Sequence, residues 1–597
     1  MNIAIIDSTI DFKSFLQNHK KFSMIVTMDY YSHDLLFKKN IEHTISDSFL
    51  TETQLLDIQE KSYDLSTWYE NKDLHDFLFL DDINIGQLYK VEFNLYLLPI
   101  LKKVSELKKI FELYPKSNFI TSKNISQIFS NLTYNISTLN EYEKLDSEMF
   151  LDSIAIPLKI HNKTLFWNIK CSKYDKINEI LNIIFSLFFS YKKRYKKNSP
   201  SILFVEFNTN RYKKLFDLSK KTNHNFIFFN KRRPYIWDKN SFFLFLFSNI
   251  GIVKSKSSSN IKNTMEEKIN QHESFFKNFF SISDTSFWNL IKEDFHKFLE
   301  RKQLESQNAI LSTKNLLKKI SFSMILIFNE SGLNEQIIIH FAKKYGIKII
   351  MLQHGLSWET NETKKIRAFS GNFPIKSDKF LVWGNIVKNF CLDNGIPKEK
   401  IQVSGSMLYD DFKNIPKSKN DYVLFATSSP QNNHIFDYTV STNTFYEKSI
   451  IEVVESVKKF NKQLIVKLHP SEFEIDITQI IKKIDPSILI LKHVDILPLI
   501  SSCEVLITHD TSTTILEGLI FEKPIISLKT KSYFGIPVTE KFDACVNTDI
   551  ENFSQNFEKI INNKKFRNEI IKNGKLFLNN YLSFLGNSSD ELLKNFK

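Results

Sequence analysis

Val505-Leu506-Ile507-Thr508-His509-Asp510-Thr511-Ser512-Thr513-Thr514-Ile515-Leu516-Glu517-Gly518 reads as an apolar strand, a hydroxyl-rich turn and the opening of a helix. A short apolar run bounded by turn residues is the pattern of a buried strand. Hydroxyl side chains at a helix start cap its free N–H groups. A cap needs one such residue, yet five of the seven side chains from Thr508 to Thr514 carry a hydroxyl. The turn therefore also fits an anion site, where spare donors and the positive helix end face outward. Thr511, Ser512, Thr513 and Thr514 are the candidate phosphate ligands. Glu517, about one turn into the helix, either compensates the helix dipole or accepts the two hydroxyls of a ribose.

The flanks repeat the pattern. Downstream, Pro524–Leu528 is a further strand. Upstream, the Leu464–Leu468 strand stops at His469-Pro470. The proline ends the strand and fixes the turn, so His469 faces a crevice where it can donate to a phosphate oxygen. Tyr422–Ala426 and Ile488–Leu491 are also strands, and Ile450, Ile451, Val453, Val454, Val457 and Phe460 mark one face of a helix. Strands alternating with helices imply parallel pairing through right-handed crossovers. Ligands of such open sheets sit at the carboxyl ends of the strands.

A second unit precedes the linker-like stretch Asn414 to Asn420. It begins at Ile202–Glu206 and includes strands at Asn225–Phe229, Met324–Phe328, Ile347–Leu352, Phe380–Trp383 and Ile401–Ser404. Seven of the thirteen glycines lie between Gly332 and Gly405. Gln353-His354-Gly355 follows the Ile347–Leu352 strand. An imidazole with an ordinary pKa near 6.5 suits a general base, and the adjacent glycine admits a tight turn or a close substrate. Glu330, in Asn329-Glu330-Ser331-Gly332 at the neighbouring strand end, is the competing base. Arg367, one of seven arginines, is a candidate phosphate ligand in the following loop.

Residues 1–165 read as α/β, with strands at Ile3–Ile6, Met24–Met28 and Asn118–Thr121, a helix at Leu95 to Leu113 and a hairpin over Ser153 to Ile169, but carry no interpretable motif. Of all residues 42% are apolar and 25% charged, with 55 Phe, an ordinary globular balance. The phenylalanine, lysine and asparagine excess fits an AT-rich coding bias. The net charge of +13 is spread among acids, which argues against nucleic acid as partner. The densest basic run, Lys192 to Lys197 behind the apolar Ile180 to Phe189, is either a solvated helix end or a contact with anionic lipid. The Ser/Lys-rich Lys254 to Lys268 reads as a loop. Cys171, Cys391, Cys503 and Cys545 lie far apart, without metal or disulfide spacing. The N-terminus lacks a signal-peptide head. The longest apolar runs, such as Phe242 to Val253, fall short of the ~18 residues that span a bilayer. The expected location is the cytoplasm, with a peripheral contact at the inner membrane.

Absences narrow the chemistry. There is no Asp-x-Asp, no Gly-x-Gly-x-x-Gly, no Walker A loop and no Gly-x-Ser-x-Gly elbow. No metal is expected, and no cofactor beyond a nucleotide-sugar co-substrate. The ordered set Gln353-His354-Gly355, Val382-Trp383-Gly384, Val403-Ser404-Gly405-Ser406, Lys467-Leu468-His469-Pro470 and Thr508 through Glu517 with Lys523-Pro524-Ile525-Ile526 resembles a bacterial GT-B superfamily. That group includes surface-polysaccharide glycosyltransferases, the CDP-glycerol glycerophosphotransferases of teichoic acid synthesis and, more distantly, UDP-N-acetylglucosamine 2-epimerase. The likeness covers about residues 320 to 530.

The resemblance implies that His354 is the base, that His469 binds the donor pyrophosphate, and that Ser512 and Thr513 match a phosphate loop. The polyol-phosphate polymerases have Asp-Tyr-Ser-Ser where this chain has His509-Asp510-Thr511-Ser512. Glu517 instead matches the ribose ligand of nucleotide-sugar enzymes, so the donor stays open between the two classes. The expected fold is α/β and GT-B-like: two Rossmann-like doubly wound units, 166–415 for the acceptor and 416–597 for the donor, facing a cleft, with an N-terminal α/β extension at 1–165. The expected activity is metal-independent, inverting transfer from a nucleotide-activated sugar to a glycan or lipid-linked glycan acceptor of capsule or lipopolysaccharide. The alternatives are a CDP-polyol phosphotransferase, a non-catalytic nucleotide- or glycan-binding assembly protein, and an epimerase.

Overall fold

The computed structural model of the 597-residue chain describes all residues except 124, 127–135, 140–152, 161–162, 171–172, 174–176, 178–197, 209–210, 220–221, 231–265, 283–284, 413–414, 416–419, 429–441, 471–474, 531–533 and 597. The basic run 192–197, the apolar runs 180–189 and 242–253, nearly all of the 254–268 loop and most of the 414–420 linker lie outside the described residues.

Three parallel sheets organise the described residues. The first runs in the order Thr44–Ile45, Met24–Thr27, Asn2–Ile6, Asn118–Thr121, Ile136–Thr138. The second runs Asn225–Phe229, Ser201–Val205, Phe322–Ile327, Lys348–Leu352, Lys379–Val382, Ile401–Val403. The third runs Leu489–Leu491, Gln463–Lys467, Tyr422–Ala426, Val505–His509, Ile525–Leu528, Val546–Thr548. Their central strands are buried because helices cover both faces; Ser201–Val205, Tyr422–Ala426 and Val505–His509 are buried at every position. The third sheet has the doubly wound order in which the chain turns back between Tyr422–Ala426 and Val505–His509. In the second, the reversal falls between Ser201–Val205 and Phe322–Ile327. The molecule is thus α/β and GT-B-like in its two larger sheets. The expected hairpin also forms, as antiparallel Ser153–Ile160 and Lys163–Lys170.

After Asn563 the chain packs on helices of the third unit and also crosses to the second. Helix Lys564–Tyr581 packs beside Thr514–Ile520 and reaches helix Asn385–Asp393 of the second unit. The crossing explains two sequence motifs. A Cβ on Gly384 would lie 2.4 Å from the carbonyl oxygens of Asn580 and Tyr581, and one on Gly405 2.2 Å from that of Ser583. Val382-Trp383-Gly384 and Ser404-Gly405-Ser406 are therefore seats for the returning backbone. Asp410 then accepts the N–H groups of Ser588 and Ser589, each at 2.9 Å, and Leu592 and Phe596 complete the core around Phe204.

The first unit touches both others. Toward the second sheet it contributes Trp68 and Phe93 to an aromatic cluster on helix Trp288–Lys319, with Phe295 4.9 Å from Trp68 and 5.5 Å from Phe93. Edge-to-face contacts at these distances add to the large area such rings bury. Toward the third sheet, Asp47 caps helix Asn443–Lys459 by accepting Asn443 N–H at 2.6 Å and the Thr444 hydroxyl at 2.6 Å. Tyr30 is buried in the third unit's core, and His33 Nε2 lies 2.6 Å from Glu447 Oε1. Among the described residues no helix is long and apolar enough to cross a membrane.

Candidate functional site at the strand ends

The hydroxyl-rich turn lies at the reversal of the third sheet, where open α/β folds bind their ligands. His509 closes the Val505–His509 strand, is only 2% exposed, and supports the turn from behind. Its Nδ1 accepts the Ser428 N–H at 3.2 Å. Nε2 therefore carries the proton toward Ser449 Oγ, 3.0 Å away, whose hydroxyl donates to Tyr446 O. Asp510, at φ +45, accepts the Thr530 N–H at 2.7 Å and the Thr530 hydroxyl. These two side chains hold neighbouring strand-end loops in register. Thr511, Ser512, Thr513 and Thr514 stay half-buried at the crevice, with Ser512 Oγ accepting the Thr514 N–H at 3.3 Å.

Glu517 lies within helix Thr514–Ile520. It is half-buried, and its carboxylate makes no hydrogen bond or ion pair among the described residues. Burial pushes its carboxyl up to about 7, with Asp495 adding to the rise and the opposing charge of Arg211 restraining it. Arg211 belongs to the second unit, in the loop after Ser201–Val205 at that sheet's own reversal. Tyr409, 1% exposed with a hydroxyl that finds no partner among the described residues, senses both groups. Burial holds its phenol well above the ordinary value, Glu517 raises it further and Arg211 lowers it. Sequence reasoning missed Arg211 and Tyr409. The signal available for Arg211 was a rare arginine shortly after a fully apolar strand.

His469 and Pro470 end the neighbouring Gln463–Lys467 strand and are exposed. Desolvation and the nearby ammonium groups of Lys467 and Lys492 hold His469 below its ordinary range, so at neutral pH it is an uncharged donor. Lys467 is itself buried and donates to Leu468 O and Lys492 O, both at 2.7 Å.

On the opposite wall, His354 follows Lys348–Leu352, exposed, its ring edge-on to Phe328 with centroids 5.8 Å apart. Gln353 builds the turn that presents it. Its Oε1 accepts the Trp383 N–H at 2.8 Å, and its Nε2 donates to Gly355 O at 3.0 Å and to the Tyr581 hydroxyl at 3.2 Å. The two walls meet here: a Cβ on Gly355 would stand 3.3 Å from Thr513 Oγ1. Farther along the loop, Thr360 donates to Phe534 O, and Val538 N–H to Trp358 O.

Two sequence candidates are taken up by the scaffold. Glu330 is 5% exposed. Its carboxylate accepts the N–H groups of Ile375, Lys376 and Ser377 and the Ser377 hydroxyl, at 2.6 to 3.1 Å. A carboxylate with its lone pairs so occupied clamps a loop and is a poor proton acceptor for substrate. Arg367 is buried, paired with Glu359 and set over the Phe390 ring at 5.0 Å. It is a core ion pair, not a cleft cation. Among the described residues no three or more His, Cys, Asp or Glu side chains are grouped to hold a metal ion.

A family model for the LIC12162 family transferase matches residues 94–545. No curated protein matches the chain. Among solved structures, the S. aureus MnaA–UDP complex aligns over 67% of this chain and 96% of its own, at 12% identity and a TM-score of 0.42. The Neisseria meningitidis UDP-GlcNAc 2-epimerase bound to UDP-GlcNAc aligns over 66% and 99%, at 13% identity and 0.43. The Methanocaldococcus jannaschii UDP-GlcNAc 2-epimerase with UDP-GlcNAc and UDP aligns over 67% and 99%, at 13% and 0.38.

Proposed function

Because this chain belongs to the LIC12162 family of transferases, we propose that it moves a sugar from a nucleotide-activated donor to a hydroxyl of a cell-surface glycan, free or lipid-linked. The observation that carries this reading is the meeting of the His354–Gly355 turn with Thr513. It brings a base candidate from one sheet against the hydroxyl turn at the reversal of the other.

In this reading the donor nucleotide lies along the third sheet's strand ends. Glu517 accepts the ribose hydroxyls, and a carboxylate without a hydrogen-bond partner of its own is suited to do so. His469 and the 511–514 hydroxyls donate to the pyrophosphate, taking up charge as the glycosidic C–O bond breaks. Preoriented donors of this kind act where charge develops, without reorganising at the moment of reaction. The acceptor hydroxyl attacks the anomeric carbon while His354 removes its proton, which inverts the configuration. Arg211 closes the far side of the site, near the ribose end.

The test is turnover with a panel of UDP-, CDP-, GDP- and dTDP-sugars and CDP-polyols, followed by His354→Ala. A general base contributes typically ~10²–10⁴-fold, so kcat should fall by that much with donor affinity kept. Consumption of a CDP-polyol, with no sugar nucleotide used, would move the protein to phosphoryl transfer. Donor binding lost in His354→Ala with kcat kept would remove the base assignment.

A further inference from the structure

Away from the strand-end cleft, a cavity of about 350 Å³ opens between the first unit and the second. Its first wall comes from residues 69–88 and its second from helix Leu333–Lys344 and Lys376. The volume is at the small end of small-molecule sites. Tyr69, Phe79 and Ile83 give it an apolar side, while Gln87, His340 and Lys376 give it a polar one.

The polar side is incompletely satisfied. His340 Nε2 is buried with no hydrogen-bond partner among the described residues. The Lys376 ammonium and the Gln87 amide make no side-chain hydrogen bond or ion pair among the described residues. Buried polar groups in folded proteins are nearly always paired, so the orphaned His340 nitrogen, beside the half-buried Lys376 and Gln87, calls for an explanation. The nearby acids do not supply it. Asp82 lies on the exposed rim and is taken by Lys344 at 3.6 Å. Glu70 is exposed. Glu330, whose charge Lys376 senses, spends its oxygens on the 375–377 N–H groups and the Ser377 hydroxyl.

We propose that this cavity is a binding site for a small anionic carbohydrate, a sugar phosphate or a uronic acid. Lys376 and His340 hold the phosphate or carboxylate, Gln87 a hydroxyl, and Tyr69 and Phe79 the apolar face of the ring. Burial holds both Lys376 and His340 below their ordinary values, the direction in which a bound anion restores the charged forms. The site also touches the acceptor-side wall. Gln336, which lines it, donates to Ser331 O at 2.6 Å, and Lys376 N–H is held by Glu330 at 2.8 Å.

The experiment is calorimetric titration of the full chain with glucose 1-phosphate, with glucuronate and with glucose. Saturable binding of either anion, with glucose at least about tenfold weaker, is the expected result. Phosphate alone assigns a phosphate ester and glucuronate alone a uronate. Lys376→Met and His340→Gln should each weaken the anion about tenfold or more, the scale of a lost charge-assisted contact. Gln87→Leu, read with a melting curve for each variant, guards against a folding effect. His469→Ala, in the strand-end cleft, should bind the anion as wild type does. Binding of neither anion overturns the proposal. So does equal binding of glucose, or binding that His469→Ala removes and Lys376→Met leaves intact.

Discussion

Replacing Glu517 with glutamine should stabilise the protein and weaken its donor site at once. Burial raises this carboxyl from its ordinary 4.5 to about 7. Between those values the native state binds more protons than the unfolded chain, so stability falls as pH rises, and the loss is complete above the native value. At ~1.4 kcal/mol for each tenfold change in proton affinity, the ceiling is roughly 3 kcal/mol. Glu517→Gln removes the charge and keeps the shape. At pH 8 it should unfold later than wild type by up to that amount, and the gain should vanish by pH 4.5. Its nucleotide affinity should drop about 10- to 100-fold, the range for a hydrogen bond to a charged group. Wild-type affinity should rise with pH through about 7, because ribose hydroxyls donate to the ionised form, and the variant should lose that slope. Thermal melts at pH 5, 6.5 and 8 and calorimetry with the nucleotide identified by turnover read both effects. A variant less stable than wild type at pH 8, or one that binds nucleotide equally well with the pH slope intact, would refute the reasoning.

Three further outcomes follow from the geometry. His469→Ala should cost ~10²–10³ in kcat, as loss of one oriented donor does, with an unchanged melting curve because the side chain is exposed; wild-type turnover removes it from the site. Glu330→Gln should act on stability, losing about 1.5–3 kcal/mol through one weakened charge-assisted bond at the 375–377 loop, and abolished turnover in a protein that melts normally would return it to the chemistry. Gly405→Ala, at φ +73 and 2.2 Å from Ser583 O, should displace the returning C-terminal segment and lower the melting temperature; an unchanged melt would mean that this crossing does not hold the fold together.

Much of the fold was legible because buried parallel strands declare themselves. Asn118–Thr121, Asn225–Phe229 and Tyr422–Ala426 form over the residues read from sequence, and Val505–His509 differs by one. Each is an apolar run between turn residues, and alternation with helices leaves one way to pair them. The strand-end turns were legible for the same reason, since position at a carboxyl end follows once the strand is placed. What such a reading lacks is the partner of each polar side chain. Glu330 and Arg367 have the composition of site residues, but the N–H groups of 375–377 and the carboxylate of Glu359 claim them. His509 likewise sits in the phosphate-loop motif and spends both ring nitrogens on Ser428 and Ser449.

The first unit was opaque because its contacts are long-range and leave no local pattern. Asp47, in Ser46-Asp47-Ser48, caps a helix that begins at Asn443. That helix carries Tyr446 and Ser449, and Ser449 Oγ accepts the His509 Nε2–H while His509 Nδ1 accepts the Ser428 N–H. A continuous set of hydrogen bonds and one helix thus runs from the first unit to the turn at the third sheet's reversal. The aromatic cluster of Trp68, Phe93 and Phe295 ties the same unit to the second sheet. Part of the phenylalanine excess that composition assigns to coding bias is therefore interface core. A unit fastened on both sides of a cleft limits how far the two walls can part, because opening must break either the aromatic seam or the set of Asp47, Tyr30 and His33–Glu447 contacts with the third unit.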